Sequence, residues 1–293
     1  MICERPLDYV DLLSLVGETN RCPGGKRAVS RLTQALHIGP QHRVLEVGSN
    51  TGFTSIELVA ITGCRTDGVE INAAAVEEAR RTAAALPARI AERVAFHIGD
   101  VQKLTWDDET FDVVVCGGAL GFVEDTPSAF AEIRRVLRPL GMVSITHLYY
   151  RSMPPADLTD RLAEVLGFRI PVRGWKRWLA ELAPDGWELY DLARRPLTAR
   201  PDAVVDAYAE QLTSSPRIAA LPGPQQEQMR EQWRHACHVF NDNHRHLGVL
   251  ELVLRRPLDG VPEQPELFLE PGVYDPFFTR QFVPSTDGTE ESF

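Results

Sequence analysis

Glu46, Glu70 and Asp100 each stand where a short apolar run gives way to a turn, at the ends of RVLEV (43–47), RTDGVEI (65–71) and RVAFHI (93–98). Gly48 and Gly52 follow the first of them, and bare backbone at such positions lets a ligand approach the main chain closely. Asn50, between the glycines, is a residue type that tolerates a left-handed conformation. A dinucleotide site would be expected to show G-x-G-x-x-G with a pyrophosphate at the following helix N-terminus. Here the spacing is Glu46-x-Gly48-x-x-x-Gly52, which puts a negative charge where a phosphate is least welcome. The ligand is therefore read as cationic near Glu46. Glu70 has enough acceptor positions for both hydroxyls of a ribose, and Asp100 can accept from an exocyclic adenine amine.

Positioning three carboxylates side by side requires parallel strands ending at one edge. Further apolar runs lie at 111–116 and 142–149, and helical patterns separate the runs at 53–62, 72–86 and 126–138. Continuous apolar strands alternating with helices predict an α/β fold with a doubly wound, mostly parallel, Rossmann-like sheet covered on both faces. Asn72 is expected to cap the second of these helices and Thr126, with Pro127 in the first turn, the third. Residues 1–42 read as an N-terminal helical cap, broken by CPGG at 22–25 before a helix over 26–37. After 150 the pattern changes to helices at 156–166, 174–183, 201–213 and 224–240, with strands near 187–193 and 248–254. The expected organisation is the cap at 1–42, a ligand-binding domain over 43–258 with a helical insertion at about 200–240 before the last strand, and an acidic tail of Pro and Phe over 259–293, whose end is expected to be disordered.

A cationic ligand bearing adenosine is S-adenosylmethionine, and the same residues resemble the motifs of the class I S-adenosylmethionine-dependent methyltransferases. VLEVGSNTGF resembles the glycine-rich first motif, GVEIN the acidic ribose motif and IGDV the adenine motif. FDVVVCGGALGFVEDTPSAFAEIRRVLRPLGMVSI resembles the fourth strand, its helix and the fifth strand. The departures are Asn50, where many members have glycine, and Leu140 in RPLG, where PGG is common. The resemblance implies seven strands with the last antiparallel, S-adenosylmethionine as cofactor, and methyl transfer to a small-molecule acceptor at oxygen, nitrogen or carbon, as in bacterial specialised metabolism. It places Glu46, Gly48, Ser49, Gly52, Glu70, Ile71, Asp100, Val101, Cys116 and Gly117 around the cofactor. Phe122, Tyr149, Tyr150 and Trp233 are the expected substrate contacts. The same scaffold also admits use of the sulfonium in a non-methylating reaction, or a non-catalytic binding subunit.

Methyl transfer chiefly requires nucleophile, methyl and sulfur to be held in line. An alcohol, phenol or carbon acid also needs a base, and His147 in SITHLYY is the candidate; a hydrogen bond to the acceptor and packing are its other readings. His235 and His238 share a helix face, but no carboxylate or cysteine completes a ligand set with them, so no metal is assigned. The aromatic stretch VYDPFFTRQF is read as docking over the pocket or onto a partner chain, with a homodimer the open alternative to a monomer. The net charge of −10 and the lack of a long basic run argue against nucleic acid as partner. No apolar run is long enough for a membrane span and the N-terminus does not read as a signal peptide, so the expected address is the cytoplasm. The five cysteines are read as thiols without an assigned redox role.

Overall fold

The computed structural model describes residues 9–18, 22–184 and 186–260, and the aromatic stretch and polar end of the tail lie outside them. Seven strands form one sheet: β1 (Arg43–Val47), β2 (Arg65–Glu70), β3 (Val94–Ile98), β4 (Phe111–Cys116), β5 (Leu137–Tyr150), β6 (Glu188–Pro196) and β7 (Leu247–Arg255). Their order is β3-β2-β1-β4-β5-β7-β6. The first five pair in parallel. At the start of β5, Leu140 N–H donates to Arg256 O and Arg256 N–H returns a bond to Gly141 O, both at 2.9 Å, so the beginning of β5 meets the end of β7 and the two run antiparallel. The expected fold class is the one observed.

Eleven α-helical segments accompany the strands among the described residues: α1 (Tyr9–Val16), α2 (Gly25–Ala35), α3 (Phe53–Thr62), α4 (Ala73–Ala84), α5 (Ala88–Ala91), α6 (Thr126–Val136), α7 (Ala156–Leu166), α8 (Trp175–Leu182), α9 (Asp202–Thr213), α10 (Pro216–Ala219) and α11 (Gly223–Asn243). A 3₁₀ turn, η1, spans Ala119–Phe122. Asn72 caps α4 as expected, its side chain accepting from Ala74 N and Ala75 N. The cap of α6 is one residue earlier than expected: Asp125 accepts from Ser128 N at 3.1 Å, and Thr126 is already helical. An ionised carboxylate outcompetes a hydroxyl at the positive end of a helix, which explains the shift.

Two compact units divide the described residues, one of 22–149, 174–184, 186–195 and 249–260, the other of 9–18, 150–173 and 196–248. Helix α2 groups with the sheet, and α1 with the other unit. In the sheet unit, Val29, Leu32 and Leu36 of the α2 region share a core with Leu58 and Val59 of α3 and Val44, Val113 and Val115 of the strands. That apolar face assigns α2 to the sheet. The opposite face carries Phe130 and Ile133 of α6 and Trp178 and Leu179 of α8 over Leu45, Val114 and Val143. In the helical unit, Leu12, Val16, Ala209, Ile218, Met229 and Trp233 form one core, and Leu158, Leu162 and Val239 a second. The insertion expected at about 200–240 is therefore part of a unit that also takes in α1 and α7.

Register places the functional ends. Val47 lies opposite Val69 and Cys116, and Glu70 opposite Ile98, so four strands finish at one edge. Asn50 adopts φ 44°, the left-handed geometry expected of it, whereas Leu140 is held at φ 63° with its side chain 48% exposed. A left-handed residue with a Cβ costs roughly 1–2 kcal/mol, and little apolar burial is lost by trimming an exposed leucine. Leu140→Gly is accordingly expected to raise the urea midpoint of unfolding at unchanged m-value; a lowered midpoint would show that the leucine's contacts outweigh the strain.

Candidate active site

The edge where β1 and β4 end is the point at which strand order reverses, with β2 on one side and β5 on the other. Open parallel sheets bind ligands in the crevice outside such a point. Gly48 and Ser49 lead out of β1 with both N–H groups donated to Val69 O, at 2.9 and 3.1 Å, which turns the loop across the end of β2. Gly48 sits at φ 72°, and a Cβ there would come within 2.2 Å of Ala119 Cβ, so the loop can pass η1 only with glycine. Gly52, at φ 88°, starts α3, and a Cβ there would meet the Phe96 ring at 2.5 Å.

Glu46 is 3% exposed and is turned onto the first turn of α3. One carboxylate oxygen accepts from Ser55 N at 2.8 Å and from Ser55 Oγ at 2.5 Å. Burial pushes its pKa up to about 7; hydrogen bonds from Ser55 and Thr54 oppose the rise and the Glu70 charge adds to it. Glu70 clamps the neighbouring loop. Its Oε2 accepts from Asn50 N at 3.1 Å and its Oε1 from Asn72 N at 2.9 Å. A carboxylate has about four lone-pair sites, so acceptor capacity remains after both contacts. The next residue, Ile71, is 73% exposed and Ile98 57% exposed, two apolar surfaces beside that carboxylate.

Asp100 is turned into its own loop: Oδ1 accepts from Gln102 N at 2.9 Å, and Oδ2 from Gln102 Nε2 at 3.0 Å. Val101 is buried in the sheet core. The Ser49 hydroxyl is buried with no hydrogen-bond partner among the described residues. Cys116 is fully buried, and its thiol is pushed up to about 11 by that burial, against hydrogen bonds from Leu120, Gly118 and Ala119 N–H groups. It is an inert packing thiol. Gly117 follows it, and a Cβ there would lie 2.8 Å from Cys22 Cβ.

His147 is 7% exposed, its ring 4.2 Å from the Trp178 ring in an edge-on arrangement. The imidazole also lies against the backbone of η1, where a Cβ on Gly121 would meet His147 Cε1 at 2.2 Å. The expected substrate contacts separate. Phe122 is 76% exposed. Tyr149 packs in the sheet core, Tyr150 is buried with Asn243 hydrogen-bonded to it, and Trp233 is a core residue of the helical unit. These three are thus corrected to interior residues: the period of an edge-bound aromatic and that of a core aromatic are the same in sequence. His238 is held by Asp206, with Nε2 at 2.8 Å from Oδ1. Sequence reasoning passed over Ser55, Thr54 and Cys22. The hydroxyl pair in the first turn of the helix, eight and nine residues after the buried acid, was the available signal for the first two.

An α/β fold whose strand ends carry a glycine-bent loop, a buried acid and a second acid beside exposed apolar side chains defines a nucleoside-binding enzyme. The profile of a family described as a methyltransferase domain matches residues 45–145. Residues 45–145 thus carry a methyltransferase domain of the S-adenosylmethionine-dependent kind, whose cofactor is S-adenosylmethionine. It is 25% identical over 235 residues to an uncharacterized protein of Haemophilus influenzae, covering 79% of this chain and 91% of that one. It is 29% identical over 119 residues to the 27-O-demethylrifamycin SV methyltransferase of Amycolatopsis mediterranei, covering 41% of this chain and 43% of that enzyme. The solved structure of MccD protein superposes with a TM-score of 0.68 at 20% identity, covering 81% of this chain and all of that one. Several curated methyltransferases are matched over less than half of their own length.

Because Glu46 has a folded-state pKa of about 7 against 4.5 when exposed, the folded protein holds more protons than the unfolded chain between those values. The contribution of Glu46 to the stability of the ligand-free protein then falls as pH rises from 4.5 to about 7, by an amount on the order of 3 kcal/mol. His244, whose pKa burial and the Arg200 charge lower, contributes in the opposite sense, so the test is a difference. Urea titrations of wild type and Glu46→Gln across this range are expected to diverge, with the variant losing less stability on going to pH 7; parallel curves would refute the assignment.

Proposed function

We propose that this chain transfers the methyl group of S-adenosylmethionine to a small-molecule acceptor, at oxygen, nitrogen or carbon, in specialised metabolism. The observation that carries the reading is the clamp of Glu70 on Asn50 and Asn72 beside the bare face of Ile71. Backbone donors fix the carboxylate while its remaining lone pairs face a ribose, and Ile71 offers a flat apolar contact to adenine. The residues present fit the cofactor. Gly48 and Gly52 give the backbone its close approach, with Ser49 and the Cys116–Gly117 main chain on either side, and Asp100 closes the adenine end, while Val101 packs beneath it in the sheet core. Glu46 supplies negative charge toward the cationic end: a positive group nearby favours the ionised carboxylate.

The cofactor supplies an electrophilic methyl on a sulfonium; this chain supplies alignment and exclusion of water. Phe122 is the acceptor contact we retain. His147, enclosed by Trp178 and the η1 backbone, serves this arrangement by supporting Gly121 and not as a base. The name of the Amycolatopsis relative, a methyltransferase acting on a rifamycin precursor, supports an acceptor from specialised metabolism. The domains we propose for this activity are the sheet unit for the cofactor and the helical unit for a supporting role, in a soluble cytoplasmic protein that acts on neither nucleic acid nor membrane.

Glu70→Ala is expected to weaken calorimetric binding of S-adenosylhomocysteine by about 1–3 kcal/mol, and unchanged affinity would remove the ribose assignment. With any accepted substrate, the product gains the mass of one methyl group as S-adenosylhomocysteine accumulates; turnover without that gain would replace methylation by another use of the fold. His147→Gln is expected to lower thermal stability and leave the shape of the pH–rate profile intact, whereas loss of its rising limb would make His147 the base.

A further inference from the structure

Cys22 is a thiol that the proposed mechanism does not use, yet it sits at the crevice between β1 and β4. From the β4 side, its Cβ is so close to Gly117 that a methyl group there would stand 2.8 Å away. From the β1 side, Thr54 at the head of α3 hydrogen-bonds the thiol, and the Glu46 carboxylate is near enough to act on it electrostatically. The thiol also reaches Gly25 O at 4.0 Å, which ties it to the loop leading into α2. Helix α2 is itself fixed to the sheet unit by Lys26 with Glu57 at 3.2 Å and by an ion pair of Arg31 with Glu251. Gly117 directly follows β4 and Glu46 lies in β1, the two strands that flank the topological switch point, so Cys22 stands against the residue after one strand and within electrostatic reach of the carboxylate on the other.

We infer that Cys22 and its loop form the wall of the cofactor's cationic amino-acid end, so that the size of the side chain at position 22 sets whether the cofactor fits. The inference rests on the cofactor placement proposed above. Cys22 is a positioning residue here and takes no nucleophilic part in the methyl transfer: burial, ahead of the opposing Thr54 hydrogen bond, raises its pKa, which favours the thiol at neutral pH. A small residue at position 22 preserves the crevice. A large residue, or a covalent adduct on the sulfur, fills it. The chemistry that would reach this site is alkylation or mixed-disulfide exchange, in which the sulfur displaces a leaving thiolate from an added disulfide and its proton passes to solvent.

The test uses the full chain. Cys22→Ala and Cys22→Trp are compared with wild type for S-adenosylhomocysteine binding by calorimetry, with folding checked by circular dichroism and melting temperature. Wild type is also labelled with N-ethylmaleimide with and without S-adenosylhomocysteine, and each cysteine is mapped by mass spectrometry. Cys237, in the helical unit, is the internal reference. The expected result is near-wild-type affinity for Cys22→Ala and a loss of about tenfold or more, equivalent to about 1.4 kcal/mol, for folded Cys22→Trp. Bound S-adenosylhomocysteine slows labelling of Cys22 and leaves Cys237 unchanged. Should Cys22→Trp misfold, labelled wild type supplies the bulky side chain, and its loss of affinity is expected while labelled Cys22→Ala keeps binding. Full affinity in folded Cys22→Trp or in Cys22-labelled wild type, or equal labelling of Cys22 with and without bound ligand, overturns the inference and leaves the cofactor reading standing. Absence of binding to unmodified wild type overturns both.

Discussion

The burial of one ionisable side chain governs the arrangement of this molecule. Glu46 is placed by β1 in the middle of a parallel sheet, where water cannot reach it, and its charge is unsupported except by the first turn of α3. Desolvation of a carboxylate on this scale is tolerated only when donors are fixed around it. Ser55, nine residues after Glu46, provides two such donors, and to do so α3 must begin where it does, after a loop that doubles back on the end of β2. The glycines, the left-handed Asn50 and the clamp by Glu70 are consequences of that requirement.

This arrangement links stability to binding through one proton. In the free protein the enclosed acid is poised near neutrality, so some of its charge is suppressed. On the proposed placement of the cofactor, a cation arriving in the crevice would supply the missing counter-charge and the proton would leave. The same low dielectric that makes the lone carboxylate costly makes the pair with a bound cation stronger than it would be at the surface. A phosphate would find neither benefit, which is the energetic content of the spacing Glu46-x-Gly48-x-x-x-Gly52.

The sheet and its edge were legible because they rest on local rules. Apolar runs and helix periodicity fix β1 to β5 and α3, α4 and α6, and the positions of Glu46, Glu70 and Asp100 follow from where the runs stop. Details that depend on competition between nearby groups were less legible. Asp125 displaced Thr126 as the cap because both are adjacent and both can serve. Tyr149, Tyr150 and Trp233 went to interiors because an aromatic at a strand or helix position reads the same whether it faces ligand or core. The grouping of α2 with the sheet depended on which face of α2 was apolar and on what it met, and the latter is a long-range fact.

The role of Cys22 illustrates the limit from the other side. Nothing in CPGG indicates a ligand wall; the motif reads as a chain break, and it is one, with Gly24 at φ 86° and Gly25 at φ 53°. What gives the break a function is its meeting with Gly117, 95 positions later in sequence and adjacent in space. Gly117 has no left-handed φ to explain it, so the absence of a side chain there is a matter of room. Cys22 occupies the space that a side chain at 117 would need, and the two residues therefore constrain each other: a larger group on either side must push the loop off the crevice or push into the space where a ligand's charged end would lie. A site assembled from two strand ends and a preceding loop thus has its electrostatics set by Glu46 and its shape set by a contact that only the folded chain reveals.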